Sequence, residues 1–198
     1  MKSINQYIKE NLIIKKSKYN YFPQTKEELQ NIISQRITQE GNEVDLNDID
    51  VSNITDMSGL FYEFYYFNGD ISEWDVSNVT DMSFMFDGCQ SFNQDISNWN
   101  VSNVTDMNNM FCLCQSFNQD ISKWDVSNVR NMYAMFWACK SFDQDISNWD
   151  VSNVIDMRYM FSGCKSFNKD ISKWDVSNVI NIEFMFDDCG LFNQDIYN

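Results

Sequence analysis

The chain has 198 residues, 43% of them hydrophobic, enough to bury a substantial core in one domain. Lys and Arg total 14 against 29 Asp and Glu, a formal charge of -15, so phosphate backbones and anionic membranes are repelled and nucleic acid is not an expected partner. Histidine is absent, which removes the commonest general base, zinc ligand and partner of a Ser or Cys nucleophile.

Residues 1–44 carry a charge of +2, leaving -17 for the remainder. The basic start "MKSINQYIKENLIIKKSKYNYF" has Leu12, Ile13 and Ile14 as its longest apolar run. A secretory signal needs roughly 7–15 apolar residues and a membrane span about 20, so the sequence as given predicts a cytoplasmic chain without membrane insertion. "PQTKEELQNIISQRITQEGNEV" reads as a helix, with Thr25 as N-cap, Glu28 completing a capping box and Gly41 ending it. Leu29, Ile32, Ile33 and Ile37 line one face. We read 1–44 as an N-terminal segment and capping helix.

From Asp45 the sequence repeats every 25 residues without insertion, giving six coils at 45–69, 70–94, 95–119, 120–144, 145–169 and 170–194, then a stub at 195–198. Trp recurs at 74, 99, 124, 149 and 174, with Ile49 in the first coil. Phe fills 61, 86, 111, 136, 161 and 186, and again 67, 92, 117, 142, 167 and 192. One such unit cannot bury its apolar stripe alone, whereas stacked units share a continuous core. In "SFMFDGCQ" the residues Met82, Met85, Phe86 and Cys89 stand at i, i+3, i+4 and i+7, the spacing of a short helix of about two turns. "DISEW" and "NVTDM" alternate strand-favouring with small polar residues and read as extended. The prediction is an α/β repeat solenoid, each coil supplying short strands to a narrow parallel sheet plus one short helix.

The segment "VTDMSFMFDGCQSFNQDISNW", with its Phe86–Cys89–Phe92 element, resembles the BspA-type leucine-rich repeats in the 25-residue variant of bacterial surface proteins and mycoplasma-type lipoproteins. The resemblance covers 45–196. It implies a leucine-rich-repeat-like stack with a binding or adhesive role. Many relatives carry secretion or lipid-anchor signals, so a cell-surface or secreted location is the alternative to the cytoplasm.

The fixed columns favour structural roles. Cys89, Cys114, Cys139, Cys164 and Cys189 form a ladder. Zinc needs four ligands on one point, and parallel side chains on neighbouring coils rarely suit a disulfide, so the ladder reads as core filler. Cys112 lies off it and is expected to be more exposed. The Asp column at 70, 95, 120, 145, 170 and 195 lacks the glycines of calcium-binding repeats and reads as turn-capping. Asn78, Asn103, Asn128, Asn153 and Asn178 suggest a polar ladder satisfying backbone groups between coils, and Trp74, Trp99, Trp124, Trp149 and Trp174 an apolar one. No catalytic residue, metal site or cofactor is expected.

Variation concentrates in the columns of Thr80, Ser83, Phe84 and Asp87. Early coils hold mostly small or polar residues there; later ones hold Arg130, Tyr133 and Trp137, then Ile155, Arg158 and Tyr159, then Ile180 and Phe184. Trp, Tyr and Arg are enriched at binding hot spots, although variation on a solvated face would look alike. The expectation is therefore a non-catalytic scaffold for protein–protein interaction. The alternative is a structural module that self-associates through an uncapped C-terminal edge around Met185, Phe186 and Phe192.

Overall fold

The computed structural model describes residues 18–195; residues 1–17 and 196–198, which include most of the basic N-terminal segment and the end of the C-terminal stub, lie outside the described residues. Helix α1 spans Lys26–Glu40, and Thr25 begins it by accepting the Glu28 N–H at its hydroxyl, 3.2 Å away. The Glu28 carboxylate reaches back to the Gln24 N–H at 2.7 Å, one residue before the cap. Leu29 and Ile33 are fully buried, with Ile32 and Ile37 packed beside them against the first coil. Gly41, at φ 93, ends the helix and donates its N–H to the Ile37 carbonyl at 2.9 Å.

The coils contain neither helix nor strand among the described residues, which corrects the predicted α/β solenoid of short strands and short helices. The reason lies in the spacing of the inward side chains. Ile71 and Trp74, Val76 and Val79, Met82 and Met85, Phe86 and Cys89, Cys89 and Phe92 are pairs three apart, and each pair brackets a turn closed by an i to i+3 hydrogen bond of 2.9–3.2 Å. Phe84 and Gly88 hold φ at 57° and 83° inside two of these turns, as the third residue of a type II turn requires. A helix would send the N–H of Phe86 to Met82. Instead the N–H groups of Met82, Phe84, Phe86 and Gly88 cross to the carbonyls of Asp106, Asn108, Met110 and Cys112 in the next coil, at 2.8–3.0 Å. Those of Met85, Asp87 and Cys89 close turns within their own coil.

Coils therefore meet through alternate backbone groups. Single parallel bridges link Asp56, Asp81, Asp106, Asn131, Asp156 and Asn181 in succession, and none grows into a strand because turns begin and end within two residues on either side. Ring stacking runs along the same axis: the Phe61 to Phe186 column has centroids 5.3–5.7 Å apart, and the Phe67 to Phe192 column 6.0–6.1 Å. Rings from Phe61 to Phe167 are wholly buried in these columns, and burying each contributes about 1.5–3 kcal/mol.

Corners are fixed by short polar side chains. The carboxylates of Asp70, Asp75 and Asp81 each accept the backbone N–H two residues on, at 2.9, 3.1 and 2.8 Å. At Asp95, Asp120 and Asp145 the hydroxyl and amide of that following serine hold the carboxyl below the usual aspartate range. Because the folded-state values are the lower ones, this contribution is complete above the ordinary range and is lost on acidification.

Two glycines of the first coil separate conformational from steric need. Gly59 sits at φ 60 in the column where Phe84, Asn109 and Ala134 carry side chains at φ 57, 53 and 50. A methyl group on Gly69 would stand 2.4 Å from the Val44 carbonyl oxygen and 2.7 Å from the Phe67 ring, because the Asp70 N–H bonds Val44 at 3.1 Å and draws the two backbones together. Gly69→Ala is expected to lose about 2–3 kcal/mol in chemical denaturation, while Gly59→Asn stays within about 0.5 kcal/mol. Equal losses would contradict this packing.

Candidate functional site

Three of the fixed columns are hydrogen-bond ladders with one geometry per coil. Each indole N–H reaches a carbonyl of the preceding coil: Trp74 to Leu46 at 3.0 Å, Trp99 to Ile71 at 3.2 Å, and Trp124, Trp149 and Trp174 to Ile96, Ile121 and Ile146 at 3.1 Å. Cys89, Cys114, Cys139 and Cys164 donate their thiols to the carbonyls of Phe61, Phe86, Phe111 and Phe136 at 2.7–3.0 Å. The cysteine thus fills a small apolar site and supplies a weak donor to a buried carbonyl. Asn78, Asn103, Asn128, Asn153 and Asn178 stand exposed and bridge to the carbonyls of Ser52, Ser77, Ser102, Ser127 and Ser152 at 2.7–2.9 Å.

A fourth ladder lies in a column that sequence reasoning passed over. The side-chain oxygens of Asn68, Asn93, Asn118 and Asp143 accept the backbone N–H of Asn93, Asn118, Asp143 and Asn168 at 2.9–3.0 Å.

All six cysteines are free. Burial pushes the thiols of Cys89, Cys114, Cys139 and Cys164 well above their usual value. Cys189, at the last coil, is only half-buried and is pushed up to about 11. Its thiol shifts register, meeting the Cys164 carbonyl at 3.2 Å. Cys112 is 3% exposed, which corrects the expectation of greater exposure. It sits in a turn where its side chain hydrogen-bonds the Asp87 carboxyl. No three His, Cys, Asp or Glu side chains converge as a metal-binding group among the described residues.

The variable columns do not make one helix face, since the coils contain no helix. What forms instead is a groove of about 410 Å³ that crosses coils three to six, lined by Tyr133, Trp137 and Tyr159 with Asn109, Ser162 and Asp187. Tyr133 and Tyr159 meet edge to face at 5.9 Å, and Tyr159 stacks on Phe184 at 5.1 Å. Arg158 lies 5.2 Å over the Tyr133 ring and pairs with Asp156 at 2.6 Å, which orders the rim. Trp137 is 41% exposed and Phe184 57%, so apolar rings face solvent here. Arg130, Ile155 and Ile180 are exposed but belong to a separate row, where each backbone N–H bonds the carbonyl one coil back at 2.8–2.9 Å. They do not line the groove. Asn109, Ser162 and Asp187 were missed although they share the columns of Phe84 and Asp87. The groove runs diagonally across coils, and column-by-column reading cannot pair positions in that direction.

Fold and groove together define a repeat protein in which a fixed stack carries a variable face. The chain belongs to the family described as "Mycoplasma protein of unknown function, DUF285", whose model matches residues 27–139 and 114–198. The match supports membership of that repeat family and not of the leucine-rich repeats proper. No curated protein and no solved structure matches the chain. No helix among the described residues is long and apolar enough to cross a membrane.

Thiol labelling tests the ladder directly. In the native chain a thiol-specific reagent at neutral pH should modify Cys189 first, with the other five cysteines reacting only after unfolding. Rapid native labelling of Cys112 or Cys139 would contradict their placement.

Proposed function

We propose that this protein is a non-catalytic scaffold that binds a protein partner through the aromatic groove of coils three to six. The observation that carries the reading is the gathering, in one connected surface, of Tyr133, Trp137, Tyr159 and Phe184, with Trp137 and Phe184 41% and 57% exposed. Hot-spot residues of this kind anchor interfaces when they sit together in a pocket. Arg158 and Asp187 supply polar groups at its rim. The absence of histidine supports a binding role over a catalytic one. The resemblance to repeats of bacterial surface proteins extends the reading to adhesion, with a host or surface component as partner.

The test is affinity for a partner recovered from the source organism and then purified. Replacing Tyr133, Trp137 and Tyr159 together by Ser is expected to weaken binding by at least about 30-fold, the equivalent of one hot spot. The thermal midpoint should change little, since these rings lie outside the buried Phe and Trp columns. Unchanged affinity in a folded triple variant would refute the proposal.

A further inference from the structure

Charge is unevenly placed along the stack. Residues 45–119, the first three coils, carry twelve carboxylates and no Lys or Arg, so every cation that meets them comes from elsewhere. The N-terminal segment answers three: Lys18 pairs with Glu73 at 3.3 Å, Lys26 with Asp56 at 3.2 Å and Arg36 with Asp48 at 2.8 Å. Glu63 and Asp87 form no ion pair among the described residues. They lie on adjoining coils, where the Glu63 N–H donates to the Asp87 carbonyl at 2.9 Å. Exposed rings flank them: Tyr62 is 50% exposed, Tyr65 44% and Phe84 40%. Glu63 stands between Tyr62 and Tyr65, and its charge holds both phenols above the usual tyrosine range. Asp87 is half-buried; that burial, with the Glu63 charge added, pushes its carboxyl up against the hydrogen bond from Cys112. The Tyr65 ring reaches across to the second coil, where a methyl group on Gly88 would stand 3.6 Å from it. Tyr62, Phe84 and Asp87 stand three coils before Trp137, Tyr159 and Ser162, so the diagonal that lines the groove recurs here with a carboxylate in place of a hydroxyl.

Elsewhere the molecule completes such an arrangement with a cation. Lys18 lies 4.8 Å over the Tyr19 ring beside Glu73, Arg36 5.3 Å over Tyr21 beside Asp48, and Arg158 5.2 Å over Tyr133 beside Asp156. Ring and carboxylate act together on one cation, the ring through its negative face and the carboxylate through its charge. At Tyr62, Glu63, Tyr65 and Asp87 both halves are present, and no cation of a described residue joins them. We infer that Tyr62, Glu63, Tyr65, Phe84 and Asp87 form a docking surface for a basic segment of a partner protein, an arginine side chain lying over the tyrosine rings with Glu63 and Asp87 as its counter-charges. Arginine fits better than lysine because its planar guanidinium stacks on a ring and can bond two carboxylates at once. A bare metal ion fits poorly, since no three metal-ligating side chains converge among the described residues. An acidic partner would set like charges together.

This surface is separate from the aromatic groove, and its test does not depend on that reading. The full chain is titrated at low salt with acetyl-Gly-Arg-Gly-Arg-Gly amide, and its amide NMR signals are followed. Those of Tyr62, Glu63, Tyr65 and Asp87 should shift, while those of Tyr133, Trp137 and Tyr159 stay in place. The citrulline counterpart, which keeps the shape and loses the charge, should move none of them. Glu63→Gln combined with Asp87→Asn should weaken binding at least about tenfold, and Tyr62→Leu combined with Tyr65→Leu about threefold. Both variants should keep the native thermal midpoint. Leu113, Ala138 and Asp188 hold φ at 60, 56 and 52 in the column where Glu63 holds 61, and both tyrosines are exposed. An unmoved spectrum overturns the inference, as does undiminished affinity in either folded variant. A dimer of the chain alone that the Glu63 variant dissolves would also overturn it, by making a second copy the occupant. So would tighter binding once Lys9, Lys15 and Lys16 are replaced by Ser, by making the chain's own N-terminal segment the occupant.

Discussion

The architecture depends on how the backbone divides its donors. From Met82 to Cys89 one N–H closes a turn in its own coil and the next crosses to the neighbouring coil. Either half of this arrangement fails alone. Turns without cross-bonds would leave buried amides unpaired, and cross-bonds without turns would straighten the chain into strands and abolish the compact coil. The positive φ values at Phe84, Asn109, Ala134 and Tyr159 follow from it. These side chains occupy a backbone conformation that costs about 1–2 kcal/mol each, and the cross-bonds and ring stacks of every coil offset that cost. A surface ring such as Tyr159 is consequently held by its backbone as well as by its neighbours.

Side chains complete what the alternating amides leave open. Trp, Cys and Asn donors each reach a carbonyl of the preceding coil, and no buried side-chain nitrogen or oxygen among the described residues lacks a partner. Cross-bonds run in both senses along the stack: the N–H groups of Met82, Phe84, Phe86 and Gly88 donate to the following coil, whereas those of Thr80 and Ser91 donate to the preceding one. One end of the stack is covered by α1; at the last described coil Val176, Ile182 and Leu191 are exposed. The aromatic groove is a separate device, set across the stack, where corner columns can change freely because the turn backbone, and not the side chain, carries the structure. Under the proposed binding role, a stack with substitutable corners is a platform on which one fold serves different partners.

Much of the coil could be read from the sequence, and the error in the rest is instructive. A period of 25 without insertion defined the units, and Trp74, Phe86, Cys89 and Phe92 were legible as core positions because five or all six copies repeat them. The secondary structure was not legible. Met82, Met85, Phe86 and Cys89 satisfy a helical spacing, but the wider run of inward residues advances by threes, and a period of three belongs to successive turns as well as to a helix read over a short window. Hydrogen bonds to a coil 25 residues away decide between them, and a local pattern carries no trace of these. The groove was half legible for the same reason. Tyr133, Trp137 and Tyr159 stood out by type, whereas Asn109, Ser162 and Asp187 join them only through the diagonal offset of stacked coils. Cys112 looked exposed because it lies outside the cysteine column, yet the turn folds it inward.

The central claim is the alternation of in-coil and cross-coil bonds, and scalar couplings across hydrogen bonds measure it most directly. In a long-range nitrogen–carbonyl correlation spectrum the account predicts cross-peaks linking the amide of Phe84 to the carbonyl of Asn108, and that of Phe86 to Met110. The amide of Met85 should couple to Met82 within its own coil. Couplings from Phe86 to Met82 and from Cys89 to Met85, the i to i−4 pattern of a helix, would contradict it.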